Sequence, residues 1–126
     1  MLRSMELIWD TPINNCFDWI AGTSTGGILA LALSSGKTIA ECQNLYFKLK
    51  DKVFINTKPY DTKPFEELLQ ESFGNIKMYD IKHPKVVITA TMADRTPPDL
   101  HLFRNYPSPQ QIVGVRLVIQ HNFHKY

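Results

Sequence analysis

The sequence predicts an α/β fold with a mainly parallel sheet, and three observations predict it. Lys85 to Met92 (Lys-Val-Val-Ile-Thr-Ala-Thr-Met) is a near-continuous β-branched run, the mark of a parallel strand covered on both faces. Gly22-Thr23-Ser24-Thr25-Gly26 is a G-x-S-x-G pentapeptide between a short apolar run (Phe17, Trp19, Ile20) and a long one (Ile28 to Leu33), the setting of a strand-to-helix elbow. Three helical patterns separate the two strands, and the order strand, helix, helix, helix, strand describes a right-handed crossover.

Each element has its own local signal. Leu2, Met5 and Ile8 with Trp9 recur at helical spacing, so the chain opens on an amphipathic helix that stops near Pro12 and the polar Asn14-Asn15. Phe17 to Ala21 reads as a short buried strand. Gly26 to Leu33 is apolar on every side, as a central helix against a sheet must be, and Ser34-Ser35-Gly36 ends it. Thr38 followed by Glu41 is a capping box opening a second helix, with Ile39, Cys42, Leu45 and Leu49 on one face and Lys48, Lys50 and Lys52 on the other. After a loop from Asn56 to Lys63, Pro64 sits in the first turn of a third helix, with Phe65, Leu68 and Leu69 inward and Gly74 as C-cap. Leu100 to Arg104 is a further strand after the Pro97-Pro98 turn. From Pro107 the character changes to Pro-Ser-Pro-Gln-Gln, a β-prone Ile112 to Ile119 and a polar tail.

Size and composition bound the function. A chain of 126 residues holds one domain at most, with room for a real core. Its net charge of +2, without a long Lys/Arg run, gives no electrostatic footprint for nucleic acid. Cys16 and Cys42 lie on separate elements with no C-x-x-C spacing, so zinc is not expected and a reducing compartment is. No window reaches the length of a membrane span, and the N-terminus has too short an apolar stretch for a signal peptide. These features describe a soluble, intracellular chain that needs neither cofactor nor metal.

The chemistry concentrates at Ser24. A serine hydroxyl attacks a carbonyl well when it projects from a tight turn with nothing bulky beside it, and Gly22 and Gly26 are read as the positions where a side chain would crowd the neighbouring strand or helix. Ser24 then heads a helix whose free amides favour negative charge, and the Thr25 amide is the expected donor to a developing oxyanion. A phosphate-binding loop is excluded because Gly27 is followed by Ile28 rather than by Lys-Ser or Lys-Thr. A plain N-cap role for Ser24 or Thr23 leaves the second threonine and the paired glycines unexplained.

Phe17-Asp18-Trp19-Ile20-Ala21-Gly22-Thr23-Ser24-Thr25-Gly26-Gly27-Ile28-Leu29-Ala30 resembles the nucleophile segment of patatin-like phospholipases. Tyr46 to Asp51, Lys85 to Arg95 and Leu100 to Tyr106 (Leu-His-Leu-Phe-Arg-Asn-Tyr) resemble the catalytic domain of the calcium-independent phospholipases A2 of the ankyrin-repeat type. Several separated segments agree in order from residue 1 to about Tyr106, which makes 1–106 a partial patatin-like domain and 107–126 a divergent tail. The resemblance implies an incomplete three-layer α/β/α fold and a calcium-independent hydrolase that releases fatty acid from glycerophospholipids. It also implies a Ser-Asp dyad with Ser24 as nucleophile, and an elbow formed by Gly22, Thr23, Thr25, Gly26 and Gly27.

Two parts of that pattern are missing. The dyad aspartate belongs to a D-G-G or D-G-A motif, yet none of Asp10, Asp18, Asp51, Asp61, Asp80, Asp94 and Asp99 precedes a glycine. The oxyanion loop is a G-G-x-R-G, yet no glycine precedes Gly22. A partial or alternatively spliced product accounts for both, and the chain is expected to be inactive alone. The alternative is a non-catalytic truncated chain that binds a full-length relative or a membrane surface and modulates that relative; the expected protein partners are such a relative or a second copy of the chain. A Ser24, Asp94 and His101, His121 or His124 triad is a lesser rival in the order of α/β-hydrolases. Lys48, Lys50, Lys52, Lys58 and Lys63 form a contact for anionic headgroups or, as such clusters more often do, a solvated helix face; the expected location is the cytoplasm, with peripheral membrane association. Exposed apolar surface is expected at Val86, Ile88 and the Ile28 to Leu33 helix.

Overall fold

A computed structural model describes residues 1–52, 62–92, 94 and 96–107. The chain opens with α1 (Leu2–Trp9) and a 3-10 turn (Ile13–Asn15), then enters β1 (Trp19–Thr23). Three helices follow, α2 (Thr25–Ser34), α3 (Ile39–Lys52) and α4 (Thr62–Phe73), before β2 (Lys85–Met92) and β3 (Asp99–Arg104). The sheet order is β1-β2-β3. β1 runs parallel to β2 with Trp19 opposite Lys85 and Thr23 opposite Thr89, while β3 returns antiparallel with Met92 opposite Asp99 and Val87 opposite Arg104. The sheet is therefore mixed, with the long crossover joining its parallel pair.

The helical core follows from the apolar spacing of α3. Ile39, Cys42, Leu45 and Leu49, one turn apart, are all buried against Ala32 and Leu33 of α2, Leu68 of α4 and Ile13. Leu2 and Met5 of α1 and Phe65 of α4 pack on the margin of this cluster. The capping box of α3 is formed: the Glu41 carboxylate accepts the Thr38 N–H (2.7 Å), and Thr38 Oγ1 accepts the Glu41 N–H (3.2 Å). Gly74 ends α4 in the left-handed region, φ 56°, with its N–H donated to the Gln70 carbonyl (2.8 Å).

Several expectations are corrected. β1 begins at Trp19 rather than Phe17, because the Phe17 ring turns away to meet the Trp9 ring edge-on at 6.3 Å. The strand is not buried: its residues alternate exposed and half-buried, and Trp19 is 52% exposed. Nor is β2 covered on both faces. A Cβ on Gly27 would lie 2.8 Å from Ile88 Cγ2, so α2 packs on the face of the sheet that carries Ile20, Gly22 and Ile88. The opposite face carries Trp19, Ala21, Thr23, Thr89, Leu100 and Leu102, and no described helix covers it. Exposed apolar surface accordingly lies at Trp19, Leu100 and Leu102, not at Val86, which is fully buried. In α1, Ile8 points to solvent beside Leu7. α4 starts at Thr62, inside the stretch read as loop; most of that loop and the Ile112 to Ile119 stretch lie outside the described residues. No described helix is long and apolar enough to cross a membrane.

One polar side chain closes the sheet at the start of β2. Asn105 Oδ1 accepts the Val86 N–H (2.7 Å), and Asn105 Nδ2 donates to the carbonyls of Ile81 and Pro84 (both 2.9 Å). Three otherwise orphaned backbone groups are satisfied by this amide. Beside it the Trp19 and Tyr106 rings meet edge-on at 4.9 Å, with Lys85 Nζ 4.9 Å from the Trp19 ring centre.

Candidate functional site

β1 runs directly into α2 with a single residue between them, and that residue is Ser24. Its backbone adopts φ 55° and ψ −127°, a region an L-residue enters at a cost of about 1–3 kcal/mol and which only the surrounding packing can hold. Two hydrogen bonds fix the turn from the helix side: the Ser24 carbonyl accepts the N–H groups of Gly27 (2.9 Å) and Ile28 (3.3 Å). Ser24 is exposed, and although it occupies the N-cap position its side chain makes no capping bond. The plain N-cap reading of Ser24 is therefore not what the geometry shows. No backbone carbonyl among the described residues takes up the Thr25 or Gly26 amide, so the positive end of α2 presents free donors beside the Ser24 hydroxyl.

The glycines have separable roles. A Cβ on Gly22 would fall 2.2 Å from the Gly26 carbonyl oxygen, and one on Gly27 would meet Ile88. These two positions allow the strand and the helix to touch. Gly26 does not: a Cβ there meets nothing within 4 Å, because it is the carbonyl of Gly26 and not its Cα that approaches β1. The steric reason expected for Gly26 belongs to Gly27.

Thr23, the last residue of β1, sits on the opposite face. Its hydroxyl hydrogen-bonds with that of Thr89, its direct partner on β2, at 2.5 Å. Nothing in the sequence alone marked Thr89; the pairing register reveals it.

Among the described residues the parts of a base are not assembled. No hydrogen bond joins the Ser24 hydroxyl to a carboxylate or imidazole among the described residues. His101 lies two strands from β1, about 10 Å at ordinary strand spacing, and stacks edge-on against Phe103 at 4.5 Å. His121 and His124 lie outside the described residues. The Ser24, Asp94 and His101 triad is thus not brought together. No cluster of three His, Cys, Asp or Glu side chains suited to a metal occurs among the described residues. Burial pushes the Cys42 thiol up, away from the low-pKa setting of a reactive cysteine.

The basic face of α3 is partly neutralised. Lys48 Nζ donates to Glu71 of α4 at 2.9 Å, and this bond, with the charges of Lys48 and Lys52, holds the Glu71 carboxyl below its usual value. Lys50 faces solvent, and Lys58 lies outside the described residues. A shallow groove lined by Asn44, Phe47, Lys48, Asp51 and Glu71 runs between α3 and α4, away from Ser24.

The chain matches the family described as patatin-like phospholipase over residues 1–118. It is 47% identical over 113 residues to the 85/88 kDa calcium-independent phospholipases A2 of Rattus norvegicus and Mus musculus, a stretch covering 89% of this chain and 14% of each relative. It is 38% identical over 97 residues to the intracellular phospholipase A2 of Caenorhabditis elegans, covering 76% of this chain and 9% of that one. A calcium-independent phospholipase A2-gamma from Homo sapiens is 32% identical over 123 residues, covering 83% of this chain and 16% of the relative.

Proposed function

The chain belongs to the patatin-like phospholipase family, and from that premise we propose that Ser24 is the nucleophile of a calcium-independent phospholipase A2 acting on glycerophospholipids. The observation that carries this reading is the strained backbone of Ser24 at the uncapped head of α2. An exposed hydroxyl at that turn, beside two amides that no described carbonyl takes up, is the arrangement that attack on an ester and stabilisation of its oxyanion call for. Attack would give an acyl-serine that water then hydrolyses, releasing the fatty acid. The base in this scheme is an aspartate of a Ser-Asp dyad. Since no aspartate of this sequence precedes a glycine, the 126 residues carry the nucleophile and part of the oxyanion site without the base. Lys50 and its neighbours would meet anionic headgroups, in keeping with a cytoplasmic protein at a membrane surface.

The test is to incubate the purified chain with a phospholipid labelled at sn-2, with and without calcium, beside Ser24→Ala, and to treat both with a fluorophosphonate. Slow, calcium-independent labelling that Ser24→Ala abolishes is expected, with no sustained fatty-acid release. Absence of labelling would remove Ser24 as nucleophile; serine-dependent turnover would remove the claim that the base is missing. A second reading, a chain that binds and modulates a full-length relative, draws support from the open sheet face bearing Trp19, Leu100 and Leu102. Added to a full-length relative, the chain would then change its rate of hydrolysis, and Trp19→Ser would not.

A further inference from the structure

We propose that Thr89 is a positioning residue for Ser24, acting through Thr23; as a statement about reactivity this rests on the nucleophile reading above. The elbow must be held from two sides. On the face covered by α2 the hold is strong: Gly22 lies against the Gly26 carbonyl, and the Ser24 carbonyl accepts two helix amides. On the other face no described helix packs, and the last residue before the turn, Thr23, is exposed. Thr23 and Thr89 form the final register pair of β1 and β2, so the strand ladder offers nothing beyond them. Their hydroxyl-to-hydroxyl bond is the one side-chain hydrogen bond that the described residues supply to Thr23 or Ser24. Without it, Thr23 is free to swing toward solvent and Ser24 can relax from φ 55° toward an ordinary extended conformation. Such a relaxation would turn the hydroxyl away from the α2 amides.

The experiment compares Thr89→Val, which keeps the β-branched shape and loses the hydroxyl, with Thr89→Ser, which keeps the hydroxyl, and with Thr91→Val as a neighbour that makes no such bond. Amide hydrogen exchange at Gly27 and Ile28 reads the turn itself without any chemistry. In Thr89→Val these two amides should exchange about threefold faster, the size expected of one cross-strand hydroxyl pair. Leu49 in the helical core should stay unchanged, and Thr89→Ser and Thr91→Val should match the wild type. Fluorophosphonate labelling of Ser24 should slow by a similar factor in Thr89→Val and recover in Thr89→Ser. Exchange at Gly27 and Ile28 equal to wild type, or equal acceleration at Leu49, overturns the proposal. If the wild type takes no label, the nucleophile reading fails while exchange still decides the positioning role. Should Thr89→Val not fold, Thr23→Val removes the same bond from the other side and is read in the same way.

Discussion

α2 and α3 begin in opposite ways, and the difference separates what holds a helix from what a helix end can offer. At the head of α3, Thr38 and Glu41 exchange hydrogen bonds, so its first turn is closed on itself. At the head of α2, Ser24 makes no side-chain cap, and no carbonyl among the described residues takes up the Thr25 or Gly26 amide. α3 is specified by its own residues, with a box at the start and a four-residue apolar stripe along one side. α2, apolar all round, is specified by its place between β1, β2 and the core. A helix end left unsatisfied must be held by something other than its cap, and here close backbone contact at Gly22 and the Ser24 turn does so. Stability local to α3 is thus exchanged, at α2, for donors that can meet negative charge.

This contrast makes ordered predictions. The largest effect should come from Gly22→Ala, whose Cβ would sit 2.2 Å from backbone that cannot yield; a loss of about 3 kcal/mol or outright failure to fold is expected in urea denaturation. Ser24→Gly should move the other way, gaining about 1 kcal/mol by relieving the positive φ, while all labelling by a fluorophosphonate is lost. Thr38→Ala should cost about 1 kcal/mol, read as a lower denaturation midpoint, with no effect on the reactivity of Ser24. Gly26→Ala should leave stability level or raise it by up to about 1 kcal/mol, since open space surrounds that Cα and alanine favours a helix. The smallest effect concerns acid. Hydrogen bonds from the Thr38 backbone and side chain hold Glu41 below its ordinary 4.5, so its contribution is complete above that pH and is lost as the pH falls below it. Between pH 6 and pH 3, Glu41→Gln should therefore lose less stability than the wild type does, measured by urea midpoints.

Sequence patterns carried the elements whose cause is local. The box at Thr38 and Glu41, the stripe from Ile39 to Leu49, the glycine stop at Gly74 and the span Lys85–Met92 all depend on residues within a few positions of one another, and each was readable beforehand. The elbow was readable for the same reason, as one strand, one pentapeptide and one helix in a row. What escaped was set by distant partners. Phe17 left the strand for the Trp9 ring, and β1 lost its first two residues. Gly27 rather than Gly26 met a neighbouring strand, because the contact is with Ile88, sixty-odd residues away. A β-branched run such as β2 reads as doubly covered whether or not a second layer is there. Thr89 and Asn105 carry no pattern at all, since their importance lies in which strand stands opposite.

Asn105 also ties together stretches of chain that lie far apart in sequence. It follows β3 and reaches back to Ile81, Pro84 and Val86, so the entrance to β2 is latched from beyond the end of β3. The parallel and antiparallel halves of the sheet are thereby made into one unit of opening: β3 cannot peel away without freeing the Val86 amide that leads β2 alongside β1. In a chain read from its N-terminus, the residue that secures the strand beside the serine is among the last described.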